Sequence, residues 1–415
     1  MSNLTEVYEK AAAEAIRREL CRGLKNPQNQ VDYEERRIEC LTNPDKYPLV
    51  VRLENCHCKE GDCVSSCAFD AIYRDNQGAA IVDNEKCTGC SECISACSQG
   101  NIAPRKDIVP LFELLKNRET NPVYAIVAPA FVGQFSESVT PGMLRTTFKK
   151  MGFEGMVEVA LFADILTLKE ALEYQHYVKS EGDYMLTSCC CPMWVGMIRK
   201  VYSHIAPHMP PSVSPMVACG RSIKKLNPDA KVVFIGPCLA KKAEAKEEDI
   251  KDAVDLVLTF QETEELFYLI GIDPSKQEED DRDHASFAGR IYARSGGVCE
   301  AVEKTSAYLN PLRELPFKSV NADGVAECKK VLTEIMSGDI KANFIEGMGC
   351  VGGCVGGPKR IIDKNDGKRF VEAYAKEAEY TTPVNNPYVI DMLHRLGYDS
   401  IESLVADDTI FLRKW

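Results

Sequence analysis

Eight of the nineteen cysteines stand in two tight runs, and their spacing restricts what the chain can fold around more than any other feature. Cys87, Cys90, Cys93 and Cys97, in CTGCSECISAC, follow C-x2-C-x2-C-x3-C. In such a run the first three thiolates hold one iron–sulfur cluster and the fourth reaches its neighbour. Upstream, Cys56, Cys58, Cys63 and Cys67 keep the last x3 interval, but their first loop is one residue longer. Cys67–Ile72 and Cys97–Ile102 form a repeat offset by 30 residues, which predicts two half-modules related by a pseudo-twofold. A zinc module is the alternative, and crossed sets of four cysteines match its spacing less well. His57, between two candidate ligands, is expected beside the cluster or in solvent. A chain of 415 residues builds its core without disulfide staples, so metal ligation is favoured over cross-linking.

The remaining composition mainly excludes. Leu4–Leu24 reads as an amphipathic helix with Leu4, Val7, Ala11, Ala15, Ile16 and Leu20 on one side, and it lacks the apolar centre of a signal peptide. No run of about 18 apolar residues occurs, so a cytoplasmic protein without membrane spans is expected. A net charge of −12 argues against a general nucleic-acid binder, while local basic patches remain free to dock an acidic protein. Cys21, Cys40, Cys219, Cys299 and Cys328 match no ligand spacing and are expected to pack as small hydrophobes. His394 is assigned no role.

Beyond residue 106 the pattern changes to alternating α/β. Val123–Val127, Tyr184–Leu186 and Lys231–Ile235 read as short buried strands, with helices at Asp107–Lys116, Pro141–Met151 and Leu166–Tyr177. This predicts parallel sheets with a site at their carboxyl ends. The second strand runs into TSCCCPMW and the third into GPCLAKK, while Phe344–Pro358 reads FIEGMGCVGGCVGGP. Glycines around Cys350 and Cys354 let backbone approach a bulky inorganic core. Glu247–Glu265 is expected to be helical around a strand and Gln277–Asp283 an acidic loop. Ser295–Gly297 is expected to precede a helix near the cofactor cavity, and Thr382–Trp415 to close the chain with helices.

The two N-terminal runs resemble a bacterial ferredoxin carrying two [4Fe-4S] clusters. From about Val50 to about Tyr398 the chain resembles the [FeFe] hydrogenases, whose three cysteine loops occur here in the same order. The resemblance implies a helical extension over 1–47, an α+β 2[4Fe-4S] ferredoxin-like domain over 48–106, and a catalytic domain over 107–415. That last domain would be α/β, with two lobes of parallel sheet flanked by helices. Cys56, Cys58 and Cys63 with Cys97 would hold one cluster, and Cys87, Cys90 and Cys93 with Cys67 the other. Cys191, Cys238, Cys350 and Cys354 would hold the [4Fe-4S] part of an H-cluster, with Cys354 bridging to a diiron unit carrying CO, cyanide and a dithiolate. Cys190 would pass protons to the dithiolate, supplied from the surface through Glu170 and Glu173, and Cys189 is an extra sulfur. Lys241 would bond a cyanide, Met348 would pack on the diiron unit, and Ala128, Pro129 and Ala130 would wall the dithiolate.

The resemblance implies reversible formation of H2 from protons and electrons, a ferredoxin as redox partner, and maturation proteins that insert the cofactor. Several positions depart from the family pattern. Pro210 stands where a relay serine is usual and cannot donate, leaving Ser212, Ser214 or water to substitute. Gly236 replaces a methionine, Met216 a glutamine and Pro358 a glycine. A hydrogenase-like iron–sulfur scaffold and an H2 sensor are the alternatives. Cys190, Lys241 and Met348 argue against the scaffold because by the resemblance they would serve the diiron unit, and no signalling domain is visible after the third motif, so a sensor is not expected.

Overall fold

The computed structural model describes residues 4–20, 38–53, 58, 61–187, 190–280, 282, 284–407 and 409–414. Cys21, Cys56, His57 and Cys189 therefore lie outside the described residues, as do the last positions of the predicted N-terminal helix. That helix is described over Leu4–Leu20. Tyr8 on its buried face stacks on Phe112 at 5.9 Å and donates to the Met151 carbonyl at 2.7 Å.

Short antiparallel pairs make up the region around the cysteine runs. Strand β1 (Val50–Arg52) is followed by β2 (Ile72–Arg74), β3 (Ala80–Val82) and β4 (Ile102–Pro104). β1 pairs with β4 and β2 with β3. One-turn helices at Asp62–Ser65 and Glu92–Ala96 occupy equivalent places in the two halves, each just after a residue in the left-handed region, Gly61 and Ser91. The internal repeat of the sequence is thus a repeat of structure.

Two parallel sheets form the rest. In the first, β5 (Val123–Val127), β6 (Gly155–Glu158), β8 (Lys231–Gly236) and β9 (Leu256–Thr259) lie in the order β6-β5-β8-β9. In the second, β7 (Met185–Leu186), β10 (Ser319–Asp323) and β11 (Phe344–Met348) lie in the order β10-β11-β7. In the first sheet the central strands β5 and β8 read as nearly continuous apolar runs because both of their faces are covered. The helix Ala160–Tyr177 starts earlier than predicted and is buried through most of its length, its charged Asp164, Lys169, Glu170 and Glu173 included.

The helical expectation for Glu247–Glu265 holds only after β9, where Phe260–Ile270 is a helix begun by a Thr259–Glu262 capping box. Before β9 the charges anchor other segments instead of lining a helix. Glu247 and Asp249 bind Arg413, and Asp252 binds Arg221.

The cysteine-rich region does not stand apart. Phe69 and Ala71 are buried in one cluster with Leu186, Trp194 and Ile345 of the second-sheet lobe. Leu239, from the loop after β8, is fully buried among Val50, Cys63, Ile72 and Cys93.

Candidate cluster site

The parallel strands deliver their carboxyl ends to one region, and each end carries a cysteine loop or a small-residue turn. β5 leads into the turn Pro129–Phe131, in which Ala130 is buried, and β8 leads into Pro237 and Cys238. β7 leads toward Cys190 and Cys191, and β11 into Gly349 and Cys350. Cys191 caps the helix Pro192–Lys200, and its sulfur accepts the Gly349 N–H at 3.2 Å, which joins two of the loops. The Lys359 N–H donates to the Pro237 carbonyl at 2.9 Å, which joins the third. The Ser295 N–H donates to the Gly352 carbonyl at 3.1 Å, so the Ser295–Gly297 turn does lie against this region.

Trp194 sets the height of these loops. It is 1% exposed, and its indole N–H donates to the Thr187 carbonyl at 2.9 Å. Its ring lies on Gly347, where an added Cβ would come within 2.0 Å of ring carbon. Glycine in the middle of a buried strand is explained by that close approach. Gly236 has a similar cause, since the Phe234 ring already stands 2.7 Å from the position of a Gly236 Cβ.

The thiols of this group share one buried neighbourhood. Burial pushes the Cys191 thiol up to about 11, helped by Cys190 and opposed by the Gly349 and Trp194 N–H groups. Cys350 is raised by burial first and then by Cys238 and Cys191, and Cys354 by burial and then by Cys190, Cys238 and Cys191, with Lys241 opposing. Cys238 is raised by burial and opposed by the Lys241 ammonium and the N–H groups of Lys241 and Ala240. Half-buried sulfurs that receive N–H bonds are ready to become thiolates once a cation neutralises them. Lys241 is 7% exposed. Burial works against its charge, yet Glu244, Cys238 and Cys190 hold its ammonium above the usual range. Glu244 pairs with it at 2.6 Å. An ammonium has three donors, so one paired with a single carboxylate can still bond an anionic ligand such as cyanide. Met348 is buried at the end of β11, just before Gly349 and Cys350.

The second thiol group is equally well formed. One small cavity is lined by Cys67, Cys87, Cys90 and Cys93 together with Ser91. Burial raises Cys90 to about 11 and Cys93 to about 12, and Cys87 and Cys67 add to both. Backbone N–H groups point at Cys87, Cys90 and Cys67, the last from Ala71 at 3.3 Å. The buried Ser91 hydroxyl has no hydrogen-bond partner among the described residues, which suits an acceptor such as an inorganic sulfide. Of the other set, Cys63 is buried, Cys97 is half-buried, and Cys58 receives an Arg74 contact at 3.6 Å. No disulfide forms among the described cysteines.

The two groups meet. Cys350 feels the Cys90 sulfur, Thr88 donates to the Met193 sulfur at 3.0 Å, and a Cβ on Gly89 would stand 3.1 Å from Ala240 backbone.

Glu170 and Glu173 are buried, at 0% and 3% exposed, so they are not the solvated pair that helix spacing alone would suggest. Glu170 accepts the Tyr292 hydroxyl at 3.4 Å. Glu173 accepts from the Ser212 hydroxyl at 3.4 Å and pairs with Lys169. Ser214 is engaged as the cap of the helix Pro215–Leu226, which leaves Ser212 as the hydroxyl next to the pair. Sequence reasoning missed Lys169 and Glu346. Glu346 is fully buried on β11 and accepts the Gly296 and Cys299 N–H groups at 2.9 and 2.8 Å. A charged residue inside an otherwise apolar strand was the available signal. Cys219, Cys299 and Cys328 are buried, as expected of packing thiols.

A family model described as the C-terminal domain of the iron only hydrogenase large subunit matches residues 121–358. The chain belongs to that family. It is 25% identical to iron hydrogenase 1 of Clostridium pasteurianum over 86% of this chain and 73% of that protein. It is 26% identical to the NADP-reducing hydrogenase subunit HndD of Solidesulfovibrio fructosivorans over 74% of this chain and 63% of that subunit. It is also 22% identical to a probable cytosolic Fe-S cluster assembly factor of Drosophila ananassae, over 67% of this chain and 72% of that protein. Among solved structures, [FeFe]-hydrogenase HydA(deltaEFG) superposes with a TM-score of 0.60 at 20% identity, covering 74% of this chain and 98% of that one. An apo [FeFe]-hydrogenase HydA1 from Chlamydomonas reinhardtii gives 0.56 at 21%, covering 69% and 93%. The family fold is thus the fold of this chain. Among the described residues no helix is long and apolar enough to cross a membrane.

Proposed function

We propose that the chain is an [FeFe] hydrogenase that interconverts H2 with two protons and two electrons. The observation that carries the reading is the buried Lys241 ammonium, which pairs with Glu244 and keeps further donors beside the Cys190 and Cys354 thiols. A [4Fe-4S] cluster held by its four thiolates would not by itself call for a buried cation among them. The assembly-factor likeness supports a scaffold as the second reading, and it is Lys241 and Cys190 that favour the enzyme.

In this reading Cys191, Cys238, Cys350 and Cys354 hold the [4Fe-4S] part of the H-cluster. The diiron group, when bound, supplies the metal at which protons and electrons combine. Lys241 holds its anionic ligand, Met348, Pro129 and Ala130 wall it, and the Cys190 thiol holds the proton nearest to it. Glu170 and Glu173 bring protons from outside, with Ser212 in place of the missing donor at Pro210. Residues 48–106 form the 2[4Fe-4S] ferredoxin-like domain, preceded by the extension 1–47 and followed by the catalytic part 107–415. Cys87, Cys90, Cys93 and Cys67 hold the cluster facing Cys350, and Cys56, Cys58, Cys63 and Cys97 the outer one. A ferredoxin delivers electrons to that outer cluster, and maturation proteins load the diiron group.

The test is anaerobic H2 release from reduced ferredoxin by protein reconstituted with iron, sulfide and the diiron cofactor, with Cys190→Ala as control. The expected result is rapid release that collapses by about 10²-fold or more in the control. No release from protein with spectroscopically complete clusters would leave the scaffold reading standing.

A further inference from the structure

The helix Ala160–Tyr177 also buries a lysine, immediately before Glu170. Lys169 is 2% exposed, in a stretch where Ile165, Leu166 and Leu168 are fully buried. Its ammonium bonds the Glu173 carboxylate one turn further on and donates to the Ser212 hydroxyl at 2.9 Å. Ser212, itself fully buried, donates to the other oxygen of Glu173. The three side chains close a triangle shut off from solvent. The groups facing Glu173 are therefore Lys169 from its own helix and Ser212 from the segment after Pro211. Glu170, next along the helix, is held separately by Tyr292.

A buried lysine and glutamate are a poor way to gain stability, because desolvating both ions offsets most of their attraction. An apolar pair would fill the same space. What the lysine changes is the state of its neighbour. Burial drives the Glu173 carboxyl up, and Lys169 opposes this first by its charge, then by its hydrogen bond, with Ser212 adding a little. Without that cation Glu173 would sit in apolar surroundings as a neutral acid and keep its proton.

We propose that Lys169 is a positioning residue for proton delivery, holding Glu173 ionised and aligned with Ser212 where Pro210 offers no donor. This rests on the relay reading given above. Each passage moves one proton and no electron. An incoming proton converts the Glu173 carboxylate to the acid, Lys169 stays an ammonium throughout, and the acid gives the proton up inward and returns to carboxylate.

The test is infrared difference spectroscopy of the purified full-length protein across a pH titration, before and after cofactor loading, with Lys169→Met, Lys169→Arg and Glu173→Gln. Lys169→Met is expected to show a protonated carboxyl at neutral pH that the wild type lacks and that adding Glu173→Gln abolishes. Lys169→Arg is expected to keep Glu173 ionised. After loading, Lys169→Met should release H2 about 10- to 100-fold more slowly at neutral pH, with a shifted pH profile that Lys169→Arg restores. No new protonated carboxyl, or a Lys169→Met profile that superposes on wild type after scaling, overturns the inference. Should Lys169→Met fail to fold, the wild-type spectrum decides, because a Glu173 found protonated at neutral pH, assigned through Glu173→Gln, overturns it as well. If Glu173→Gln leaves H2 turnover unchanged, the relay reading is what fails, and the carboxyl band still reports on the pairing.

Discussion

Replacing Glu346 by glutamine gives a stability change whose pH dependence can be worked out from the structure. The carboxylate is fully buried and accepts two N–H groups at the start of the helix Gly297–Leu309. Burial pushes its carboxyl up to about 6 from an ordinary 4.5, against the pull of those N–H groups and Arg294. A raised carboxyl means that the folded state binds the proton more tightly than the unfolded state. Its contribution to stability is therefore greatest below about pH 4.5 and falls as pH rises through about 6. At about 1.4 kcal/mol per tenfold change in proton affinity, the loss totals about 2 kcal/mol. In Glu346→Gln this dependence is gone. At neutral pH the variant escapes that cost of about 2 kcal/mol but turns its amide NH2 toward one N–H, which costs about 1–3 kcal/mol. The two nearly cancel there, whereas at acid pH only the second remains. Urea midpoints of the apoprotein, measured anaerobically under reductant between about pH 4.5 and 7.5, should show the variant less stable at acid pH and close to wild type at neutral pH. Curves that stay parallel within about 0.5 kcal/mol would refute the assignment of Glu346 as a buried, mostly charged staple at neutral pH.

Lys242→Met should destabilise the chain by about 3–5 kcal/mol in the same assay, because it removes the cation shared by the buried carboxylates of Asp107 and Glu262 at 2.5 and 3.0 Å and leaves Asp107 with Arg105 alone. Trp194→Phe should cost about 2–4 kcal/mol through the orphaned Thr187 carbonyl and the space left over Gly347. It should also lower the iron retained after reconstitution, read by colorimetric iron analysis. Cys93→Ser should reduce bound iron by about four atoms per chain and slow electron entry from an external donor while sparing the H-cluster's own spectroscopic signature. A spectrum in which both change together would contradict separate clusters.

Much of this architecture could be read from residue order because its signals are local. The cysteine runs gave the repeat that β1–β4 and the two one-turn helices bear out. The apolar runs at 123–127 and 231–235 became adjacent parallel strands. What escaped was governed by contacts across the fold. β11 hides because Glu346 and Gly347 interrupt its apolar run, and both are explained only by distant partners, the Gly296–Cys299 backbone and the Trp194 ring. The charges of 247–252 look helical until the C-terminal Arg413 claims them. Lys169 drew no reading, although the stretch from Ala160 to Leu168, apolar but for Asp164 and Thr167, already marked this helix as one without a wet face.

The interlocking of the cysteine-rich region with the rest has a kinetic side. Phe69 and Leu239 are each buried in the other part's core, so the region cannot swing out to meet a donor and return. Any current it carries then flows along a fixed conduit, whose internal step is insensitive to viscosity and ionic strength. Salt and solvent friction would act only on the arrival of the outside donor. A swinging carrier would show the reverse, so turnover in a viscogen series at constant salt would tell a soldered wire from a moving contact.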